Sequence, residues 1–365
     1  MRGQRRRQTG IAMMLVLATV VVASVLGMSY LTVTSVQVAG STNLLRASRA
    51  RYLAESGLHH GLYLLRTDSP VLAGHGSGNP LGPYYADGSD DPYFLYTRGI
   101  TPAEHEVTGT ATCRGLTRTT QSHVQVFSRY RDEAMALGPM HYWRFGELSG
   151  DVARDETNGK DGRYREGVAL GKTGAIFGDL DRAAGFDGVN DYVTLSKDVD
   201  VPGQNMTLVA WFRADDFALT DGRIISKANG LNDNDHYWMI SPVRVDADIR
   251  LRFRLKAGGL TSTLVASEGN LQPNQWVMAV ATYDGVRMKL YKDAVQVGER
   301  IKFGLINING GVVTWIGGNP SGKEDRPFRG TIDEVAIFNK TLTPDQIETL
   351  YKARIGSIRI LSWDK

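Results

Sequence analysis

Hydrophobic and polar residues follow two different periods along this chain. Residues 11–39 read IAMMLVLATVVVASVLGMSYLTVTSVQVA and carry no charge. As a helix rising about 1.5 Å per residue, such a run spans the roughly 30 Å hydrocarbon core of a bilayer. From Thr42 the pattern becomes amphipathic without a proline. Ala47, Ala50, Ala54, Leu58, Leu62 and Leu65 recur three and four residues apart, the spacing of one helical face. The two patterns together predict a single helix over 11–66, about 80 Å long. Residues 67–100, rich in Gly, Pro, Asp and Ser, read as loop.

From Glu106 the period drops to two. Val107, Gly109, Ala111 and Cys113 alternate with polar residues, and Val124, Val126 and Phe127 follow a turn at Arg114-Gly115, which predicts a hairpin of two strands. Residues 131–140 read as a linker. Beyond His141, strand-like runs at 206–212, 249–255, 276–282, 287–292 and 312–316 are separated by turn dipeptides such as Asn158-Gly159, Asp187-Gly188 and Asp284-Gly285. That spacing predicts an all-β sandwich. Thr343-Pro344-Asp345-Gln346 has the form of a capped helix start, with Ile347, Leu350 and Tyr351 on one face and Gly356 as its stop. The final residues, SIRILSWDK, alternate as an edge strand would.

Charge sets the orientation. Arg2, Arg5, Arg6 and Arg7 precede the apolar run and no acid accompanies them. Such an asymmetry keeps the N-terminus cytoplasmic and sends the rest of the chain outward. A cleaved secretory signal would have a shorter apolar region followed by a break. The net charge is only +3, with four arginines in the leader, so the exported part is near neutral and lacks the basic footprint of a nucleic-acid binder. The one cysteine, Cys113, excludes an internal disulfide and a Cys-based zinc site. The 41 glycines favour a turn-rich β body.

The junction Arg6-Arg7-Gln8-Thr9-Gly10 followed by Ile11-Ala12-Met13 resembles the prepilin-type leader of type IV pilins and type II secretion pseudopilins. The resemblance implies cleavage between Gly10 and Ile11 by a prepilin peptidase, and pilin or pseudopilin subunits as partners. RARYLAESGLHHGLYLL resembles the Ala-Glu-Ser/Ala-Gly helix of minor pilins and K-type minor pseudopilins. Most major pilins carry Glu at the fifth mature position, where it pairs with a neighbouring N-terminal amine; here that position is Leu15. A carboxylate in lipid is costly unless paired, so a subunit without one is not built for repeated stacking. K-type minor pseudopilins, which sit at a filament tip, also lack it.

The blocks AAGFDGVNDYVTL, MTLVAWFRAD, NQWVMAVATYDGVRMKLYKDAVQV and FRGTIDEVAIFNKTLTPDQIETLYKA, in this order, resemble the laminin G-like family of the concanavalin A-like lectin/glucanase fold. The match covers roughly residues 141–355 and implies a two-sheet antiparallel jelly roll. It also implies a calcium ion between strand ends and loops. The candidate ligands are Asp187 and Asp333, with Asn190 or Asp191 nearby; short carboxylates reach a cation from a turn.

A glucanase of this fold needs two carboxylates about 5 Å apart on one face, as in Glu-x-Asp-x-x-Glu. No strand shows that pattern. Asp333 and Glu334 are adjacent, which on a regular strand sends them to opposite faces. A nucleophile elbow is also missing, and His141 and His236 stand alone, so the chain reads as a non-enzyme. The acidic loops Asp87/Asp90/Asp91 and Asn232-Asp233-Asn234-Asp235 read as solvated turns. Glycan-binding candidates are Asn234, His236, Tyr237 and Trp238 at a loop-to-strand stretch. Trp211 and Trp276 lie in alternating strands and read as core, while Trp315 is open.

The expected organisation is therefore mainly β. A basic prepilin-like leader (1–10) precedes a transmembrane and amphipathic pilin-like spine helix (11–66). A loop and small β-hairpin head (67–136), a C-terminal antiparallel β-sandwich jelly roll (137–356) and a tail (357–365) follow. The expected function is a minor pilin-like subunit, single-pass in a bacterial inner membrane and displayed on a pilus or pseudopilus. Its laminin G-like domain would bind a glycan or protein in adhesion. The alternative is an assembly subunit of a type II secretion or type IV pilus system, whose jelly roll contacts partner subunits.

Overall fold

The structure, a computed structural model, describes residues 3–67, 69–86, 90–101, 103–219, 221–321 and 326–364, with side chains from Met13 onward except at position 70. The side chain of Ile11, at the Gly10–Ile11 junction, and the whole of Asp87 lie outside it. Helix α1 runs Gly3–Arg66, 64 residues, about 96 Å. From Met13 its apolar half has no buried residue, and it is long and apolar enough to cross a membrane by length and composition. The hydroxyls in that half return to the helix: Ser24 Oγ donates to the carbonyl of Val20 and Thr32 Oγ1 to that of Met28, each at 2.8 Å. This satisfies polar groups that lipid could not.

The second half of α1 seats on a small antiparallel sheet. Its buried face is Ala50, Leu53, Ala54, Leu58 and Leu65. The sheet contains β1 (Leu81–Tyr85), β2 (Pro92–Gly99), β3 (Glu104–Cys113) and β4 (Leu116–Phe127). Close approach depends on glycine. A Cβ on Gly109 would lie 2.1 Å from the carbonyl oxygen of Ala54 and 2.4 Å from the amide nitrogen of Leu58.

Three local expectations change here. The 67–100 stretch contains β1 and β2, not loop alone, because Leu95 is buried and Tyr84 stacks on Tyr93 beside His60 of α1. Packing overrides a turn-like composition. The head is larger than a hairpin, and the 131–140 linker contains helix α2 (Tyr130–Ala136), whose Tyr130 and Ala134 are buried.

The sandwich strands follow: β5 (His141–Trp143), β6 (Val152–Ala153), β7 (Gly162–Arg165), β8 (Ala169–Thr173), β9 (Arg182–Asp187), β10 (Tyr192–Thr194), β11 (Met206–Ala214) and β12 (Ile225–Ala228). After them come β13 (His236–Val245), β14 (Asp248–Ala257), β15 (Leu260–Val265), β16 (Val277–Tyr283), β17 (Arg287–Lys292), β18 (Val295–Ile301), β19 (Thr314–Ile316) and β20 (Arg329–Phe338). One sheet has the order β15-β14-β13-β12-β19-β10-β7-β6; the other has β18-β17-β16-β11-β20-β9-β8, with β5 also paired to β20. The main core lies between them and includes Trp143, Phe212, Trp238, Phe253 and Ile337. The outer face of the β20 sheet is covered by α2 and by α3 (Pro344–Lys352). There Trp211 donates from Nε1 to the Tyr130 hydroxyl at 2.9 Å and stacks on Tyr351.

The last strand, β21 (Ser357–Asp364), leaves the sandwich and pairs antiparallel with β4. Residues 357–364 are thus the fifth strand of the head sheet rather than a tail. The jelly roll is spliced between two neighbouring strands of the head. Phe177, from the sandwich, packs into the head core with Leu65, Val126 and Ile358.

Candidate functional site

The strongest concentration of chemistry arises from an irregularity in β20. Opposite it, Val209 pairs with Ala336 and Trp211 with Asp333. One residue of β11, Ala210, therefore opposes two of β20, Glu334 and Val335, which is a bulge with one extra residue. Glu334 sits at the bulge with φ 51°. Ile332 and Val335 both enter the main core, so Asp333 and Glu334 together point the other way. The expectation of opposite faces fails because the pleat is interrupted between them. The bulge also lies where β20 changes neighbours: β9 pairs with Arg329–Ile332 and β5 with Val335–Ile337. Arg144, just after β5, and Asp181, just before β9, converge on the gap.

Oxygens of Asp181, Asp333 and Glu334 lie within 4.8 Å of one another. Arg144 pairs with Asp179 at 2.7 Å, Asp181 at 3.1 Å and Glu334 at 3.1 Å. Glu334 also accepts from the Tyr142 hydroxyl. Asp333 accepts from the Ala175 amide at 2.7 Å through Oδ2, while its Oδ1 is buried with no hydrogen-bond donor. Four carboxylates thus face one guanidinium. Burial pushes the Asp333 carboxyl well above its ordinary range, with Glu334 adding to the shift. Burial likewise lifts Glu334 to about 7 and Asp181 to about 6, against the pull of Arg144. Excess buried negative charge and an orphaned carboxylate oxygen are what a hard, oxygen-seeking cation would satisfy. The oxygens are no farther apart than the roughly 5 Å of a retaining glycosidase pair. Asp333 and Glu334 are however only 2% and 1% exposed, so a sugar cannot reach between them.

The sequence-derived cation ligands are not brought together. Asp187 pairs with Arg329, four residues before Asp333 along β20, or roughly 13 Å away. Asp187 Oδ1 accepts from the Val189 amide at 2.7 Å and the Asn190 amide at 3.4 Å, a local Asx turn. Asp191 accepts from the Asp187 amide at 3.0 Å and keeps its other oxygen buried without a donor. These residues edge a cleft of about 400 Å³ shared with Lys172, Arg213 and Asp215.

The expected rim of exposed aromatics is not formed either. Trp238 is in register with Leu255 and belongs to the core. His236 is fully buried. Tyr237 is half-buried, accepts from Asn309 Nδ2 at 2.8 Å and lies under Lys256. Asn234 is exposed, and its carbonyl accepts from Lys256 at 3.1 Å. Trp315 stacks on Tyr192 at 3.7 Å. The histidines that stand alone in sequence gain partners: His141 meets Asp155 at 2.7 Å, and His236 lies between Arg223 and Arg254, each at 3.3 Å. In the acidic loop of the head, Asp91 pairs with Arg49 at 3.4 Å and accepts from Cys113.

Residues 187–348, which contain β10 to β20, match the family model of the concanavalin A-like lectin/glucanases superfamily. Over these residues the C-terminal β-sandwich is similar to the concanavalin A-like jelly rolls. The chain is similar to part of human pappalysin-1, at 31% identity over 134 residues. Mouse pappalysin-1 is also 31% identical, over 127 residues. The human match covers 33% of this chain and the mouse match 32%, and each covers 8% of the relative. The chain therefore spans less than a tenth of the curated relatives it matches. Among solved structures, domain 4 of AbnA, an extracellular GH43 arabinanase from Geobacillus stearothermophilus in complex with arabinotriose, is 19% identical with a TM-score of 0.45; 58% of this chain and 98% of that one are covered. The ligand-binding domain of botulinum neurotoxin serotype D in complex with N-acetylneuraminic acid is 15% identical with a TM-score of 0.44, covering 60% and 52%.

Proposed function

We propose that this chain is a membrane-anchored, pilin-like minor subunit that displays its jelly roll as a binding module for a glycan or protein outside the membrane. One observation carries the reading. A single helix is bare and apolar in its first half and packed on a small antiparallel sheet in its second, and the jelly roll is inserted into that same sheet. Anchor, head and displayed domain are thus one continuous mechanical unit. The sequence around Gly10 and Ile11 would be the processing site of a prepilin peptidase. Mass spectrometry of the mature N-terminus, with and without that peptidase, tests this. A peptidase-dependent terminus at Ile11 is expected; an intact Met1, or cleavage beyond Ala23, refutes the pilin-like role.

We further propose that Asp333 and Asp181, with Glu334 behind them, hold a calcium ion that braces the join between β5, β9 and β20. The residues fit, since Asp333 Oδ1 is buried and lacks a donor and a hard cation prefers clustered carboxylate oxygens. The ion would supply structural charge neutralisation.

A further inference from the structure

The outer face of the β15-to-β6 sheet, left uncovered by α2 and α3, gathers positive charge. On β14 the sequence from Ile249 to Lys256 alternates strictly, with Ile249, Leu251, Phe253 and Leu255 in the core. Arg250, Arg252, Arg254 and Lys256 therefore face outward. Arg252 and Arg254 are nearly buried there, and Arg223, just before β12, is fully so. Asp221 is shared among three guanidiniums: Arg223 and Arg252 both contact its Oδ1, and Arg326 reaches its Oδ2 at 3.4 Å. Arg254 pairs with Asp233, whose side chain is 69% exposed. The third acid nearby, Asp235, is turned to the backbone of Asn232.

His236 adds no charge. Its Nδ1 donates to the Asn232 carbonyl at 2.9 Å, and its Nε2 meets Arg223 at 3.3 Å. Burial, aided by Arg223, lowers it to about 4. Among the described residues, four guanidiniums thus face two carboxylates, one of them mostly in solvent. Arg223 Nε is buried with no acceptor. Guanidinium cannot discharge itself in a protein, so the surplus calls for an anion. Planar guanidinium forks match oxyanions in two-point geometry.

We infer that this cluster is an oxyanion subsite of the jelly roll, with Arg254 and Arg326 binding a carboxylate or sulfate group of an acidic glycan and Asp233 holding the place of that group when no ligand is bound. Asp233 is mostly in solvent and regains full hydration when it lets go, so an incoming oxyanion exchanges with it at Arg254, while Arg223 and Arg252 supply field from behind. The inference rests on the binding-module reading of the sandwich and is independent of processing at Gly10.

The test uses the detergent-solubilised full chain and its Asp233→Asn and Arg326→Ala variants, both altered at exposed side chains. The sandwich melting temperature is followed while sodium sulfate replaces sodium chloride at constant ionic strength. General stabilisation by sulfate is common to all three proteins and subtracts. Loss of one charge-assisted contact in Arg326→Ala should raise the half-saturating sulfate concentration about tenfold. Asp233→Asn, which removes the internal competitor, should lower it. The opposite signs separate binding from a structural role. Oligogalacturonate and dextran sulfate, with neutral dextran as control, then distinguish carboxylate from sulfate as the natural group. An identical sulfate response in all three proteins overturns the inference. So does neutral dextran binding as well as the charged polymers, an outcome that leaves the binding-module reading intact.

Discussion

Replacing Asp333 with Asn separates a calcium centre from a proton-filled acidic pocket. Without metal, burial and the neighbouring Glu334 push the Asp333 carboxyl toward its neutral form. Asn has the same shape as the neutral acid and keeps an acceptor for the Ala175 amide. In EDTA the variant should therefore match the parent within about 1 kcal/mol. With calcium at about 100 times its dissociation constant, the parent gains about 2.7 kcal/mol. For a sandwich of this size that corresponds to roughly 5–10 °C in melting temperature, and Asp333→Asn should lose most of it. The pH dependence follows in sign. Asp181 is raised from 3.8 to about 6 and Glu334 from 4.5 to about 7. The folded state thus binds more protons than the unfolded one between about pH 4 and about pH 7. In EDTA that contribution is present at the acid end and is lost as pH rises through the folded values. Calcium competes with those protons, so its stabilising shift should widen across the same window. Scanning fluorimetry with EDTA or calcium at three pH values measures both. A parent melting temperature indifferent to calcium, or an equal calcium shift in Asp333→Asn, refutes the reasoning.

Two further substitutions test the packing and the charge of the two modules. Gly109→Ala places a methyl group against the α1 backbone at Ala54 and Leu58; it should destabilise the head by about 1–3 kcal/mol, seen as faster proteolysis between α1 and β3, while the sandwich transition stays in place. His236, lowered from 6.5 to about 4, contributes stability that is present above its ordinary value and lost as pH falls toward 4. The melting temperatures of the parent and a His236→Asn variant should therefore converge on acidification from pH 7, and a constant difference would contradict its burial as a neutral ring.

Periodicity exposed the long elements well. The apolar-then-amphipathic spine appears as one helix, and Thr343 and Gln346 cap α3 reciprocally at 2.9 and 3.3 Å, as their spacing indicates. The site was less legible for a specific reason. The rule that adjacent strand residues face opposite ways assumes an unbroken pleat, and the extra residue at Glu334 breaks it. Nothing local in TIDEVAIF announces a bulge; the partners that reveal it, Arg144 and Asp181, come from 190 and 153 residues earlier. Trp238 looked exposed because its loop is polar, yet its register with Leu255 turns it inward. The arginine cluster had a visible half, the alternation IRLRFRLK, and a hidden half, since Arg223, Asp221 and Arg326 arrive from loops.

The placement of β21 changes how the two modules relate. A jelly roll attached in series after the head would hang from one connection. Here the chain enters the sandwich after β4 and returns to lie beside β4, so the two crossings emerge from neighbouring strands. The side-chain oxygens of Ser122 and Thr120 donate to the carbonyls of Ser362 and Asp364 at 2.9 and 3.1 Å, and Phe177 fills the head core from the sandwich side. Two connections and a shared core resist rotation far better than one linker, because hinge motion needs a few residues free to absorb the change. The head sheet also cannot be completed until the sandwich between its fourth and fifth strands has brought the chain back. Folding of the inserted domain is thereby a condition for closing the edge of β4, which would otherwise present unpaired backbone groups for aggregation. A chain built this way completes its seat on the helix only when the inserted domain is formed.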